Sequence, residues 1–165
     1  MKQLLTAERL REVLHYDPET GVFTWKKARP HCRPGATAGC LCKNIGYVKL
    51  RVDGHLWLAH RLAFLYMTGD WPRHEVDHIN GARSDNAWTN LRDVVSRVNK
   101  ENIRRARVDN EVGLLGVSWF KHGKLWRASI RVDKKTHHLG YRKTAEEAAQ
   151  LYLDAKRKLH EGCTI

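Results

Sequence analysis

The chain has 165 residues, enough for one domain of ordinary size or two small ones. Its 30 Lys and Arg against 18 Asp and Glu give a formal charge of +12, the balance of a protein whose partner is a polyanion, with nucleic acid the first reading. No apolar run approaches the roughly 20 residues of a membrane span, and the charges scattered through MKQLLTAERLREVL exclude a signal-peptide core, so a cytoplasmic location is expected.

The charge is uneven. Residues 1–96 hold 14 basic and 10 acidic groups, a net of +4, while residues 97–165 hold 16 and 8, a net of +8. Thr6 to about His15 reads as a short helix capped by Thr6, with Leu10, Val13 and Leu14 on one face. Asp17 to Gly21 is a turn. Val22 to Lys26 reads as a strand with Phe23 and Trp25 on one side. Residues 28–44 read as a loop with a short strand near Cys40. Ile45 to Ala59 reads as a hairpin about Asp53-Gly54, a pair suited to a tight primed turn. His60 to Met67 reads as a helix closed by Gly69, Trp71 and Pro72. A strand running into His78, a Gly-containing loop, a second strand from about Leu91 and a helix capped by Ser96 follow. Residues 103–112 read as a basic linker or helix extension.

The last fifty residues form a separate unit. Three strands are expected at Gly116–Lys121, Trp126–Val132 and Thr136–Tyr141. A capping box, Thr144-x-x-Glu147, then opens a helix with Ala148, Leu151, Tyr152, Ala155 and Leu159 at helical spacing. The fold class is therefore α+β.

Cys32, Cys40, Cys42 and Cys163 are expected to be thiols in a reducing compartment. His31, Cys32, Cys40 and Cys42 are zinc-ligand types, but they lack C-x-x-C spacing. Small buried or edge thiols are the expectation.

The chemistry concentrates in Glu75–Asn102, EVDHINGARSDNAWTNLRDVVSRVNKEN. Hydrolysis of a phosphodiester needs an activated water, neutralised phosphate charge and help for the leaving oxygen; a metal ion can supply the last two. Asp77 offers a hard carboxylate oxygen, and Asn99 an amide oxygen one strand and one helical turn later. That set suits Mg²⁺, with Mn²⁺ as the alternative, and is poor for zinc. Neighbouring strand residues face opposite sides unless the strand ends there, as Ile79-Asn80-Gly81 suggests. His78 then projects towards water, and its ordinary pKa near 6.5 suits a general base. Asp85 and Asn86 read as loop stabilisers, and His60 as a cap or core contact.

His60-Arg61-Leu62, Val76-Asp77-His78-Ile79-Asn80-Gly81, Asp85-Asn86 and Asn90-Leu91-Arg92 together resemble the phage and intron-homing group of HNH endonucleases, in the variant whose last letter is Asn. The resemblance covers about residues 60–102. It implies a ββα-metal fold with one divalent ion, Asp77 and Asn99 as ligands, His78 as base and Asn90 as the residue that orients it. Asn102 is the second choice for the helix Asn.

Gly116-Val117-Ser118-Trp119, Trp126-Arg127-Ala128-Ser129-Ile130-Arg131, His138-Leu139-Gly140-Tyr141 and the stretch from Thr144 to Ala149 resemble the Apetala/ethylene-response-factor type of DNA-binding domain. On the middle strand Trp126, Ala128, Ile130 and Val132 share the face expected to pack on the helix. Arg127, Ser129 and Arg131 take the other face, which can enter a major groove. Lys121, Lys124, Lys134 and Lys135 are expected at phosphates, and Arg104, Arg105 and Arg107, read as a linker helix, are expected to cross the backbone or the minor groove. Trp119 and Trp126 are expected in the core. Ser118 stands where that family often has Arg, so no sequence preference carries over.

The expected organisation is an N-terminal αβ segment and nuclease domain over 1–102 with its core at 60–102, a basic linker over 103–112, and a DNA-binding domain over 113–165. The expected activity is metal-dependent cleavage of double-stranded DNA by a protein of phage or mobile-element type, without a small-molecule cofactor and with a monomer preferred. The alternative is a non-catalytic DNA-binding regulator with a degenerate nuclease core. An RNA-directed protein ranks last, because no aromatic platform for single strands is evident.

Overall fold

A computed structural model describes residues 5–28, 32–107 and 110–165. They form a mixed α+β structure of small antiparallel sheets and four α-helices, divided into two units, Met1–Val95 and Ser96–Ile165. His31 of the zinc-type set lies outside the described residues, and Cys32, Cys40 and Cys42 are free thiols.

In the first unit, helix α1 (Ala7–Val13) starts where Thr6 accepts the Arg9 N–H at 3.2 Å. The chain leaves it directly as a strand, β1 (Leu14–Tyr16), which pairs with β2 (Phe23–Trp25) across the Asp17–Gly21 turn. The sequence pattern alone joins Leu14 and His15 to the helix. Their pairing with β2 and the burial of Leu14 and Tyr16 decide for the strand. Ala36 and Ala38 extend this pair through backbone bonds to Trp25 and Phe23.

Strands β3 (Cys40–Cys42), β4 (Tyr47–Val52) and β5 (His55–Leu58) make a second sheet. Val52 faces His55 in register, and Asp53 and Gly54 both have positive φ, as a two-residue primed turn requires. Helix α2 (Ala59–Thr68) ends on Gly69 in the left-handed conformation. Its Leu62, Ala63 and Leu65 pack with Leu10, Leu14, Tyr16, Phe23, Leu50 and Val52 in a single core. A third sheet, the hairpin of β6 (Glu75–His78) and β7 (Leu91–Val94), joins that core through Val76 and Leu91.

The second unit begins with α3 (Ser96–Glu101). The described residues Ile103–Arg107 form neither helix nor strand, which corrects the expected linker helix. The Ile103 carbonyl accepts from Lys156, and Arg104 donates to the Thr164 carbonyl at 2.7 Å, so this stretch is held by ties to later residues. Strands β8 (Val117–Phe120), β9 (Leu125–Val132) and β10 (Lys135–Arg142) form an antiparallel sheet with β9 central. Helix α4 (Ala145–Leu159) carries the expected capping box and covers one face, with Val117, Ala128 and Ala148 at the centre.

Candidate active site

Register sets the site. Asp77 stands opposite Arg92, and His78 opposite Leu91, at the end of the β6–β7 ladder. Arg92 donates from Nε at 2.9 Å and from Nη2 at 2.8 Å to Asp77 Oδ2. Asp77 is 6% exposed, and the guanidinium compensates a carboxylate that would otherwise be costly to bury. His78 is 3% exposed. Neighbouring residues can both be buried here because the strand stops at His78, whose carbonyl accepts the Gly81 N–H of the following turn at 2.8 Å.

The His78 ring lies among three side chains. Asn86 Oδ1 is 3.3 Å from its Nε2. The His60 ring stands edge-on, with centroids 5.1 Å apart and planes at 84°, and the Tyr47 ring is 5.8 Å away. Burial pushes the His78 imidazole below its ordinary pKa, partly offset by the Asn86 contact and by the charges of Asp77 and Asp85. Burial drives His60 further, to about 3, with His78 adding to the effect. His60 Nδ1 is buried without a hydrogen-bond partner.

The loop between the strands is laced internally. Asn90, in a single 3-10 turn (Trp88–Asn90), accepts the Asn80 N–H on Oδ1 at 2.9 Å and donates from Nδ2 to the Asp85 carbonyl at 2.8 Å. Its own carbonyl accepts the Ile79 N–H at 2.8 Å, which closes the ladder beside His78. Asp85 accepts from Asn80 Nδ2 at 2.6 Å and from the Ala87 N–H at 3.2 Å, a loop stabiliser as expected. The Tyr16 hydroxyl donates to the Asn86 carbonyl at 2.7 Å. At Gly21 a Cβ would come within 2.2 Å of the Asn86 carbonyl carbon, so only glycine allows this approach.

Residues 58–101 match the protein family described as HNH endonuclease. Over 85 residues the chain is 33% identical to Protein 3.8 of Escherichia phage T7, an alignment spanning 52% of this chain and 69% of that protein. The chain belongs to the HNH endonuclease family. No solved structure matches it.

The HNH segment thus contains His60, Asp77, His78, Asn86 and Asn90 within the first unit, and its last element, α3, in the second. Asn99 lies on α3. Asn102 follows it, and its Oδ1 accepts the Thr164 hydroxyl. Among the described residues no three His, Cys, Asp or Glu side chains group as metal ligands. A set of one carboxylate and amide oxygens does not depend on such a group, and its hard donors fit an oxygen-preferring divalent ion.

Elsewhere in the second unit, β9 presents exposed Arg127 and Arg131 on one face, with half-buried Ser129 between them. The side chains of Ala128 and Ile130 are buried on the other. Arg127 Nε donates to Ser118 Oγ at 3.2 Å on the neighbouring strand. Lys121 and Lys124 are exposed on the β8–β9 turn, Lys134 on the β9–β10 turn and Lys135 at the start of β10. Arg105 and Arg107 are exposed, whereas Arg104 is tied to Thr164. Trp119 departs from the expected core placement. It is 45% exposed and stacks edge-on against Trp126 at 5.0 Å.

Proposed function

We propose that this protein is a divalent-metal-dependent DNA endonuclease in which His78 is the general base. The observation that carries this reading is the placement of Asp77 and His78 together, both buried, at the end of the β6–β7 hairpin inside the HNH segment.

His78 accepts the proton of the attacking water. Asp77 contributes a carboxylate oxygen to the cation site, and by sequence spacing Asn99 contributes an amide oxygen, with Asn102 as the second choice. A bound Mg²⁺ or Mn²⁺ supplies charge neutralisation at the phosphate and at the leaving oxygen. Asn90 keeps the β6–β7 loop in shape beside the base, through its bonds to Asn80, Asp85 and Ile79. Arg92 holds the Asp77 carboxylate in place.

The C-terminal sheet and helix supply binding to double-stranded DNA. Arg127, Ser129 and Arg131 share the face that α4 leaves open. Arginines on such a face can read guanine edges or neutralise phosphates. Arg105, Arg107, Lys121 and Lys124 add phosphate contacts, and Arg104 shapes the segment that carries Arg105.

The test is cleavage of supercoiled plasmid and phage DNA in Mg²⁺. Wild type gives nicked or linear product, EDTA stops it, and added Mg²⁺ or Mn²⁺ restores it. Cleavage that persists in EDTA would refute the metal-dependent mechanism. Binding without cleavage under all conditions would favour the regulator reading.

A further inference from the structure

A histidine can act as a base only through the nitrogen that carries no proton, and its other nitrogen decides which one that is. Asn86 makes the decision here. Its side chain lies eight residues beyond His78 in sequence and is 3% exposed. Its Nδ2 donates to the Ser84 carbonyl at 3.1 Å, which turns the amide oxygen towards the imidazole. An amide oxygen only accepts, so Nε2 must be the protonated nitrogen and the lone pair of the neutral ring lies on Nδ1.

The amide is held on several sides. The Tyr16 hydroxyl donates to the Asn86 carbonyl, the Asp85 carboxylate caps the Ala87 N–H, and the missing Cβ of Gly21 lets the β1–β2 turn lie against the Asn86 backbone. The His60 and Tyr47 rings limit swinging of the imidazole. Asn90 spends both ends of its amide on Asn80 and Asp85.

We propose that Asn86 is the positioning residue for His78, fixing the Nε2–H tautomer and so leaving the lone pair on Nδ1 as the proton acceptor. The proposal rests on the reading of His78 as the base. A loop stabiliser alone would leave the tautomer unaffected, and that difference is measurable.

The experiment is ¹⁵N NMR of the full chain labelled at histidine imidazoles, at about pH 8 where an ordinary imidazole is neutral. His78 is assigned among the ten histidines by its loss in His78→Ala. Wild type is expected to show His78 as the Nε2–H form. Asn86→Leu should shift it to a mixture of tautomers and lower the cleavage rate about 10–100-fold, the usual effect of losing a group that orients a functional imidazole. DNA affinity should be unchanged. Asn86→Asp, which keeps an acceptor, should restore the Nε2–H signature and bring the rate to within about tenfold of wild type. An Nδ1–H tautomer in wild type overturns the proposal whatever the Asn86 variants do. An unshifted tautomer in Asn86→Leu overturns it too. Full activity in His78→Ala would instead overturn the base assignment, leaving the tautomer result readable by itself.

Discussion

The two units bury different kinds of side chain. In Met1–Val95 the largest fully buried groups are Tyr16, Phe23, Leu10, Leu14, Leu50, Leu62, Leu65 and Val52; in Ser96–Ile165 they are Ile130 and a lysine, Lys156. The first unit joins all three of its sheets through one aromatic and aliphatic core, with the Tyr16 and Phe23 ring centroids 4.7 Å apart. The second has a core of Val117, Ala128 and Ala148 with partly buried neighbours, and adds polar ties. Lys156 reaches the Ile103 carbonyl, Glu101 accepts the Gly162 N–H at 3.0 Å, and Arg97 bridges Glu101 and Glu161 at 2.8 Å each. A site that must hold two polar groups in fixed geometry sits in the well-packed half. The half with the larger positive charge has the smaller apolar core, so a polyanion bound there would add stability where apolar burial supplies less of it.

This contrast can be broken by separating cutting from gripping. His78→Ala is expected to lower cleavage by about 10²–10⁴-fold, the range of a lost general base, with DNA affinity within about twofold of wild type. Gel-shift titrations beside plasmid cleavage check both. The packing contrast is sharpened by Leu62→Ala, expected to cost about 4 kcal/mol in urea unfolding, against about 2 kcal/mol for the like-sized truncation Ile130→Ala in the second unit.

Acid provides a third route. His60 has a folded-state pKa of about 3 against an ordinary value of 6.5. As pH falls through 6.5 the unfolded chain takes up a proton that the folded chain refuses. Stability present above about 6.5 is therefore lost towards pH 3, at a limiting slope of about 1.4 kcal/mol per pH unit. His78, shifted in the same direction, adds to the loss. Urea midpoints from pH 7 to 5 should fall for wild type and fall less for His60→Phe. The smallest effect is expected at the sheet. Arg131→Ala should reduce the slope of log affinity against log salt by about one contact without changing the cleavage rate at saturating protein, and an unchanged slope would remove Arg131 from the phosphate set.

Local signals in the sequence reached most of the elements. Thr6 and the Thr144–Glu147 box cap their helices, Asp53-Gly54 makes its turn, and the alternation in β9 sorts Ala128 and Ile130 from Arg127 and Arg131. Periodicity tells which face a residue takes but not what meets it. The approach of Asn86 to His78, and of His60 and Tyr47 to the same ring, depends on how three separate elements pack. Spacing could mark Asp77 and His78 but not their neighbours. Lys156 was hidden for a related reason. Its helix carries Leu159 at the apolar spacing, yet Leu159 is exposed while Lys156 is buried, because the carbonyl of Ile103 waits there for a donor. The strand β1 was missed since three residues are too few to show a period of two against a preceding helix.

The short helix α3 ends the HNH segment in sequence yet takes its partners from the far end of the chain. Glu161, Gly162 and Thr164 lie along it and the residues just after it, and a Cβ at Gly162 would collide with the Val98 carbonyl at 2.0 Å. The end of the family segment is therefore a poor seam for exchanging modules between relatives. A hybrid joined after residue 101 would give α3 a foreign tail and strand Glu101 without the backbone it caps. One joined between Val95 and Ser96 would keep the helix with the strap that holds it but part Asn99 from Asp77 and His78.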